Sequence, residues 1–242
     1  RTGIPVTMTN DCNAAAVGEY AIRNKHLGGL LLVAPGTGLG GGFVLPGGHL
    51  YEGANGLALE VGHISVPFRE DDGSLPNCTC GLTGCMEAWV SLVALRRRLR
   101  IELGKPEWEF HDLNSAAGTI EEKAFQLRTL AENGDALAIS LFKQQGHILG
   151  YGIADLVRVF DPGLIVLGGG LAEAKFRDQF LDWVKENIAM RPLAASCIVS
   201  ARHRSLGAPL WIWDFTSPCR ASPHSQNLKR YATSSPPPHW TG

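Results

Sequence analysis

Long apolar runs and an excess of charge of either sign are both missing from this 242-residue sequence. No segment approaches the roughly 20 apolar residues that span a bilayer, and no basic and then apolar signal segment opens the chain. Lysine and arginine total 22 against 23 acidic residues, so the net charge of −1 does not indicate nucleic acid or a membrane surface as a partner. These absences predict a soluble, cytoplasmic protein and leave small neutral or anionic substrates open.

Cysteine is scarce, but three of the six cysteines lie close together in the segment CTCGLTGC. A chain of this length can bury a core without disulfides, and in a reducing compartment clustered thiols more often bind metal. Cys78, Cys80 and Cys85 can converge on one ion, and His63 in EVGHISV is the nearest candidate for a fourth ligand. A Cys3His set suits a closed, structural Zn²⁺ site. Free buried thiols or a single disulfide remain the alternative.

Glycines are grouped in GTGLGGG from Gly36, in a pair at Gly47 and in GGG from Gly168. The group from Gly36 separates two apolar runs, which predicts a β-hairpin or a meander. The group from Gly168 follows the apolar run of DPGLIVL, which predicts a buried strand. The glycines either allow a bend with nothing bound or form an anion-binding concavity, to which Thr37 adds a hydroxyl. The spacing matches neither a Walker A loop nor a convincing dinucleotide-binding fingerprint.

Several polar residues stand beside these features. Asn10 and Asp11 precede an alanine-rich helical segment, so they either cap that helix or carry chemistry. Glu60 and Glu87 flank the predicted metal ligands, and each is either an ordinary solvated carboxylate or one that the clamp orients. Helical spacing predicts a helical middle of the chain, with one helix over MEAWVSLVALRRRLRIEL and others further on.

The composition changes in the last part of the chain. From position 201 onward there are six of the fourteen prolines and a single acidic residue, Asp214, and no helical or strand period survives. A Ser/Pro-rich stretch such as ATSSPPPHW cannot bury enough surface to offset its ordering entropy. We therefore predict a body over 1–207 and a divergent, disordered tail over 208–242.

Taken together, four stretches resemble the ROK family of repressors, uncharacterised reading frames and sugar kinases. They are TNDCNAAAVGE, GTGLGGGFVLPGGHLYEGANGLALEVGHISV, CTCGLTGCMEA and DPGLIVLGGGL. The zinc motif joined to an upstream EVGH is the specific part of this match. The resemblance implies an α/β fold of the actin-like ATPase (ribonuclease H-like) type, mostly its C-terminal lobe, and a homodimer.

The resemblance also implies roles for individual residues. Asp11 matches the catalytic base, and Asn10, Glu60, His63 and Glu87 match residues that bind the sugar hydroxyls. His63 is also matched to a zinc ligand, together with Cys78, Cys80 and Cys85. The residues matched to nucleotide-binding loops are Gly36, Thr37, Gly38, Gly40, Gly168, Gly169 and Gly170. Structural Zn²⁺ and ATP with Mg²⁺ are the implied cofactor and co-substrate.

The implied function is phosphorylation of a hexose, with glucose at its 6-hydroxyl as the leading substrate. Kinases of this family carry an Asp-x-Gly-x-Thr loop that grips phosphates and metal, and this sequence contains none. We therefore expect a chain that lacks its N-terminal lobe and does not turn over sugar alone. The alternatives are an N-acetylmannosamine or N-acetylglucosamine kinase, a sugar-sensing repressor, and a zinc-stabilised interaction fragment without activity.

Overall fold

The structure, a computed structural model, describes residues 3, 8–23, 28–170, 176–189 and 211–214. The described strands form one sheet in the order β2-β1-β3-β4. Strand β1 (Leu30–Pro35) pairs antiparallel with β2 (Leu39–Val44) and parallel with β3 (Leu164–Leu167), which pairs antiparallel with β4 (Trp211–Asp214). The predicted hairpin and the predicted buried strand are both confirmed.

Helices occupy the middle of the chain, as the apolar spacing predicts. The segment predicted as one helix after the cysteines is two helices, because Ser91 has an extended backbone and its hydroxyl accepts a hydrogen bond from Ala94 N–H at 3.1 Å. Ser91 therefore caps a new helix. The helices are α1 (Asp11–Ile22), α2 (Glu87–Val90), α3 (Leu92–Leu103), α4 (Asp112–Ser115), α5 (Ile120–Glu132), α6 (Ala136–Phe160) and α7 (Arg177–Ala189).

The two faces of the sheet bury different partners. Side chains of successive residues point to opposite faces of a strand. Leu31 and Ile165 belong to the large core that α6 and α7 share, whereas Leu30 and Leu32 pack with Ala16 of α1. Helix α1 therefore covers one face of the hairpin and holds its first turn beside the carboxyl ends of β1 and β3.

The predicted tail is described only in part. The sequence predicts disorder for 208–242, but four of these residues form strand β4 and pair with β3. Pairing supplies the backbone hydrogen-bond partners that composition alone does not reveal. The rest of that segment lies outside the described residues. None of the helices within the described ranges is long and apolar enough to cross a membrane.

Candidate functional site

A cavity of about 470 Å³ opens where the parallel strands β1 and β3 end. Ligands of open α/β sheets commonly bind at this edge. Asn10 and Asp11 contribute from the start of α1, and Glu60 and Glu87 from the segments that follow the hairpin. Four of the five residues predicted to handle the sugar thus line one cavity. The fifth, His63, is not among its lining residues.

The first turn of α1 fixes the position of Asp11. Asn10 is the N-cap residue, and its side-chain oxygen accepts hydrogen bonds from the backbone N–H groups of Cys12 at 2.8 Å and Asn13 at 3.4 Å. Asn10 therefore caps α1 and at the same time lines the cavity. Asp11 accepts from Cys12 N–H at 2.8 Å and is exposed. A carboxylate is favoured at a helix N-terminus, where the peptide dipoles present positive charge.

Cys12 and Gly40 meet beneath this turn. Burial, with a contribution from the Asp11 carboxylate, raises the pKa of the Cys12 thiol to about 11, so the thiol stays protonated at neutral pH. Gly40 lies within β2, and a Cβ there would overlap the Cys12 sulfur. Close packing of α1 on the strand is thus a sufficient reason for glycine at this predicted nucleotide-binding position.

Of the first predicted glycine loop, only Gly36, Thr37 and Gly38 form the turn between β1 and β2. The Gly36 N–H donates to the carbonyl of Gly38 at 2.8 Å, so it is already paired. The exposed Thr37 hydroxyl lies on the wall of the cavity. The turn therefore places Thr37 at the edge of the cavity.

The second predicted glycine group follows β3 and divides between two cavities. Gly168 donates its N–H to the carbonyl of Val33 at 2.9 Å, which extends the β1–β3 pairing. Gly169 lines the first cavity and has φ +81°, and a Cβ there would overlap the Pro35 carbonyl. Gly170 lines a second cavity of about 300 Å³. These glycines allow β3 to turn closely over the end of β1.

The second cavity adjoins the first, since Gly36 and Thr37 line both. Its walls are largely apolar, and its polar members include Arg128 and Gln145. The other lining residues are Pro35, Val90, Leu92, Leu95, Ala124, Phe125, Phe142 and Gly170. An apolar cavity that adjoins a polar one can hold the apolar part of a ligand whose polar part lies in the first cavity.

Glu87 is held from two sides at the edge of the first cavity. One carboxylate oxygen, Oε2, accepts from the backbone N–H of Leu39 at 2.9 Å, and the other, Oε1, accepts from the hydroxyl of Thr79 at 2.8 Å. A Cβ on Gly38 would lie 2.7 Å from Oε2, so glycine leaves room for this carboxylate. Glu87 is therefore an oriented group and not a freely solvated one.

Glu60 follows a strained backbone position. Leu59 has φ +67° although it is not glycine, and its side chain is buried in the large core. Such a conformation costs on the order of 1–3 kcal/mol and persists where the surroundings enforce it. The anchored Leu59 turns the chain so that the exposed Glu60 lines the cavity.

The predicted metal ligands come together. The ligand atoms of His63, Cys78, Cys80 and Cys85 all lie within 4.8 Å of one another. Cys78 Sγ is 3.6 Å from His63 Nδ1, and Cys80 Sγ is 3.7 Å from Cys85 Sγ. In a tetrahedral zinc site, sulfur pairs lie about 3.8 Å apart and sulfur–nitrogen pairs about 3.5 Å. The donor set and these spacings fit such an ion.

The thiols of this cluster differ in their electrostatic surroundings. Burial, together with the neighbouring Cys80 and Cys78 thiols, raises the pKa of Cys85 to about 12. A hydrogen bond from the Leu82 backbone is the main cause of a lowered pKa for the exposed Cys80. A bound divalent cation favours the thiolate form at every such position.

Residues that the sequence did not single out also shape the site. Thr79 bonds Glu87, Leu59 sets the position of Glu60, and Asn13 lines the cavity as a buried side chain. The Asn13 side-chain oxygen has no hydrogen-bond partner in the described part of the chain. Its position between two cysteines places Thr79 in the predicted metal-binding segment, but nothing in the sequence predicts its hydrogen bond to Glu87.

Comparison with known proteins shows extensive similarity to sugar kinases. The chain is 38% identical over 179 residues to a glucokinase from Streptomyces coelicolor and 32% identical over 204 residues to an N-acetylmannosamine kinase from Shigella boydii. The two matches cover 72% and 84% of this chain, but 54% and 61% of those relatives. The chain therefore spans little more than half the length of these relatives.

Solved structures share the mixed α/β fold. A ROK family glucokinase from Streptomyces griseus, in complex with glucose and AMPPNP, matches with 33% identity and a TM-score of 0.64 over 78% of this chain and 59% of that one. A ROK family transcriptional regulator, a homolog of the E. coli MLC protein, matches with 29% identity and a TM-score of 0.63 over 80% and 46%. The ROK family model matches residues 1–210, and the chain belongs to this family.

Proposed function

We propose that this chain is the sugar-binding and metal-binding part of an ATP-dependent hexose kinase that acts on the 6-hydroxyl of glucose. The observation that carries the proposal is the single cavity lined by Asn10, Asp11, Glu60 and Glu87. Three carboxylates and an amide suit the hydroxyl groups of a neutral polyol and disfavour a substrate that is itself anionic. The named relatives support the same class of reaction.

In this proposal each group has a defined task. Asp11 accepts the proton of the attacking hydroxyl, while Glu60 and Glu87 hold the other hydroxyls of the sugar. The Gly36–Gly38 turn lies between the two cavities, so it faces the phosphates of a nucleotide whose adenosine occupies the apolar second cavity. ATP with Mg²⁺ would supply the phosphoryl group. Alignment of donor and acceptor is then the main contribution of the protein.

We also propose that His63, Cys78, Cys80 and Cys85 hold a structural Zn²⁺ ion. The ligand spacings and the closed Cys3His set support this assignment. Cys85 is followed within two residues by Glu87, the first residue of α2. An ion at this cluster would thus fix the chain directly before a sugar-binding carboxylate.

Two further functions have support from the comparisons. An N-acetylhexosamine kinase is favoured by the N-acetylmannosamine kinase relative, and a sugar-responsive repressor by the regulator structure. Both alternatives use the same sugar cavity. The N-acetylhexosamine kinase differs in its preferred sugar, and the repressor differs in that sugar binding regulates transcription instead of leading to phosphorylation.

Titration of the chain with sugars tests the proposed ligand. Glucose is expected to bind, and Glu60→Gln to weaken binding about tenfold, because a charged hydrogen bond to a hydroxyl is lost. Glu52→Gln is the matched control, since Glu52 is exposed in the same segment and does not line the cavity. Calorimetry with glucose, N-acetylglucosamine and N-acetylmannosamine makes the measurement. Binding of the N-acetylated sugars alone would reassign the substrate.

A second measurement concerns turnover. The 242-residue chain, assayed alone with glucose, ATP and Mg²⁺, is expected to form no glucose 6-phosphate above the blank. The reason is that the sequence contains no Asp-x-Gly-x-Thr loop to complete the grip on the phosphates. A coupled assay that reports NADPH formation makes the test. Ordinary phosphorylation rates from this polypeptide would contradict the expectation.

A further inference from the structure

The Glu87 carboxylate connects two parts of the site that are distant in sequence. Its Oε2 atom accepts from Leu39 N–H, which belongs to the hairpin at the phosphate-facing turn. Its Oε1 atom accepts from the hydroxyl of Thr79, which belongs to the cysteine loop. The Cys78 sulfur is also near Oε1, at 3.8 Å, but the Thr79 hydroxyl is the much shorter contact at 2.8 Å. Thr79 is therefore the main side-chain donor to this oxygen.

Thr79 lies within the candidate metal cluster. Thr79 stands between Cys78 and Cys80, two of the four candidate ligands. The loop closes on itself through a hydrogen bond from Cys78 N–H to the Leu82 carbonyl at 2.8 Å. Thr79 itself is exposed, so little packing holds its side chain in place. An ion bound by the cluster would therefore hold the backbone on both sides of Thr79.

We propose that Thr79 is a positioning residue that transmits the state of the metal cluster to the sugar cavity through its hydrogen bond to Glu87. This inference rests on the proposed sugar-binding function. When the cluster holds an ion, the Thr79 hydroxyl keeps Oε1 in one orientation, while Leu39 N–H keeps Oε2. When the ion leaves, the loop no longer fixes Thr79, and Glu87 retains only the bond to the hairpin. Sugar affinity then falls, because one end of the carboxylate is free to rotate.

Four chains distinguish this role: the wild type, Thr79→Val, Thr79→Ser and the control Thr83→Val. Thr83 is exposed in the same loop, and within the described residues its side chain makes no hydrogen bond. Glucose dissociation constants are measured by calorimetry with zinc bound and after chelation, and metal content by mass spectrometry. Circular dichroism checks that each chain stays folded.

With zinc bound, Thr79→Val is expected to weaken glucose binding about fivefold. The variant loses one hydrogen bond to the charged Glu87, and water replaces that bond only in part. Thr79→Ser restores binding because the hydroxyl returns, and Thr83→Val behaves as the wild type. All four chains keep their zinc. Chelation weakens binding markedly in the wild type but causes a smaller change in Thr79→Val, since the coupling bond is already absent.

Three results would overturn the inference, and they differ from one another. An equal chelation effect in Thr79→Val and the wild type would show that the coupling does not pass through this hydroxyl. Loss of zinc from Thr79→Val would make Thr79 a structural part of the metal site. If the wild-type chain binds none of the sugars, the proposed function is wrong, and the inference is wrong with it. This result is seen in the wild type itself and so differs from any change that is confined to the Thr79 variants.

Discussion

Cys85→Ser is expected to remove the bound metal and to weaken glucose binding at least about tenfold. Cys85 is 1% exposed, and its backbone forms a bridge with Ser65. Structural zinc contributes on the order of 10 kcal/mol to the folding of small metal-binding segments, which exceeds the effect of any single hydrogen bond. Loss of one of four ligands therefore releases both the Cys78–Cys80 loop and the residue before α2.

Metal analysis by mass spectrometry and a glucose titration check this result. Leu82→Ala is the matched control, because Leu82 is 63% exposed in the same loop and only its backbone joins the loop hydrogen bonds. Burial raises the pKa of the metal-free Cys85 thiol to about 12, so metal must displace its proton. The apparent metal affinity should consequently rise with pH. Full zinc occupancy in Cys85→Ser would exclude the proposed ligand set.

Gly169→Ala is expected to destabilise the chain by about 3 kcal/mol or more. The residue has φ +81°, a conformation that alanine rarely adopts, and its new Cβ would overlap the carbonyl of Pro35. Backbone on both sides leaves no flexible side chain to move aside. Strands β1 and β3 would have to separate at the edge where the cavity lies.

Urea unfolding followed by circular dichroism measures the effect. Gly36→Ala is the control for stability, since φ is not positive there and a Cβ would meet nothing within 4 Å. Its free energy of unfolding should stay within about 0.5 kcal/mol of the wild type. If Gly169→Ala had the same urea midpoint of unfolding as the wild type, the close contact between Gly169 and the Pro35 carbonyl would be contradicted.

The cysteine cluster, the hairpin and strand β3 could be predicted from the sequence, because each is encoded by a short local pattern. Three cysteines within eight residues, CTCGLTGC, already indicate convergence, and glycine between apolar runs already indicates the hairpin. The apolar run of DPGLIVL likewise predicts β3, since a short continuous apolar segment is typical of a strand buried on both faces.

What could not be predicted depends on contacts between distant positions. Leu39 N–H bonds a carboxylate 48 residues further along the chain, and no pattern in either segment encodes that pair. The positive φ of Leu59 is enforced by packing, whereas local preference would assign such a backbone to glycine. Gly40 is a similar case, because its partner Cys12 becomes a neighbour only when α1 lies on β2.

The packing of α1 on the hairpin has a consequence for movement within the protein. A Cβ on Gly42 would lie 2.8 Å from the Cys12 carbonyl oxygen and 2.9 Å from the Ala16 Cβ, so helix and strand have no space to slide past each other. The first turns of α1, which begin at Asp11, therefore pack directly against the strand that follows the Gly36–Gly38 turn. A side chain larger than hydrogen at position 42 would therefore push α1 away from the strand, and with it Asp11 away from the hairpin turn.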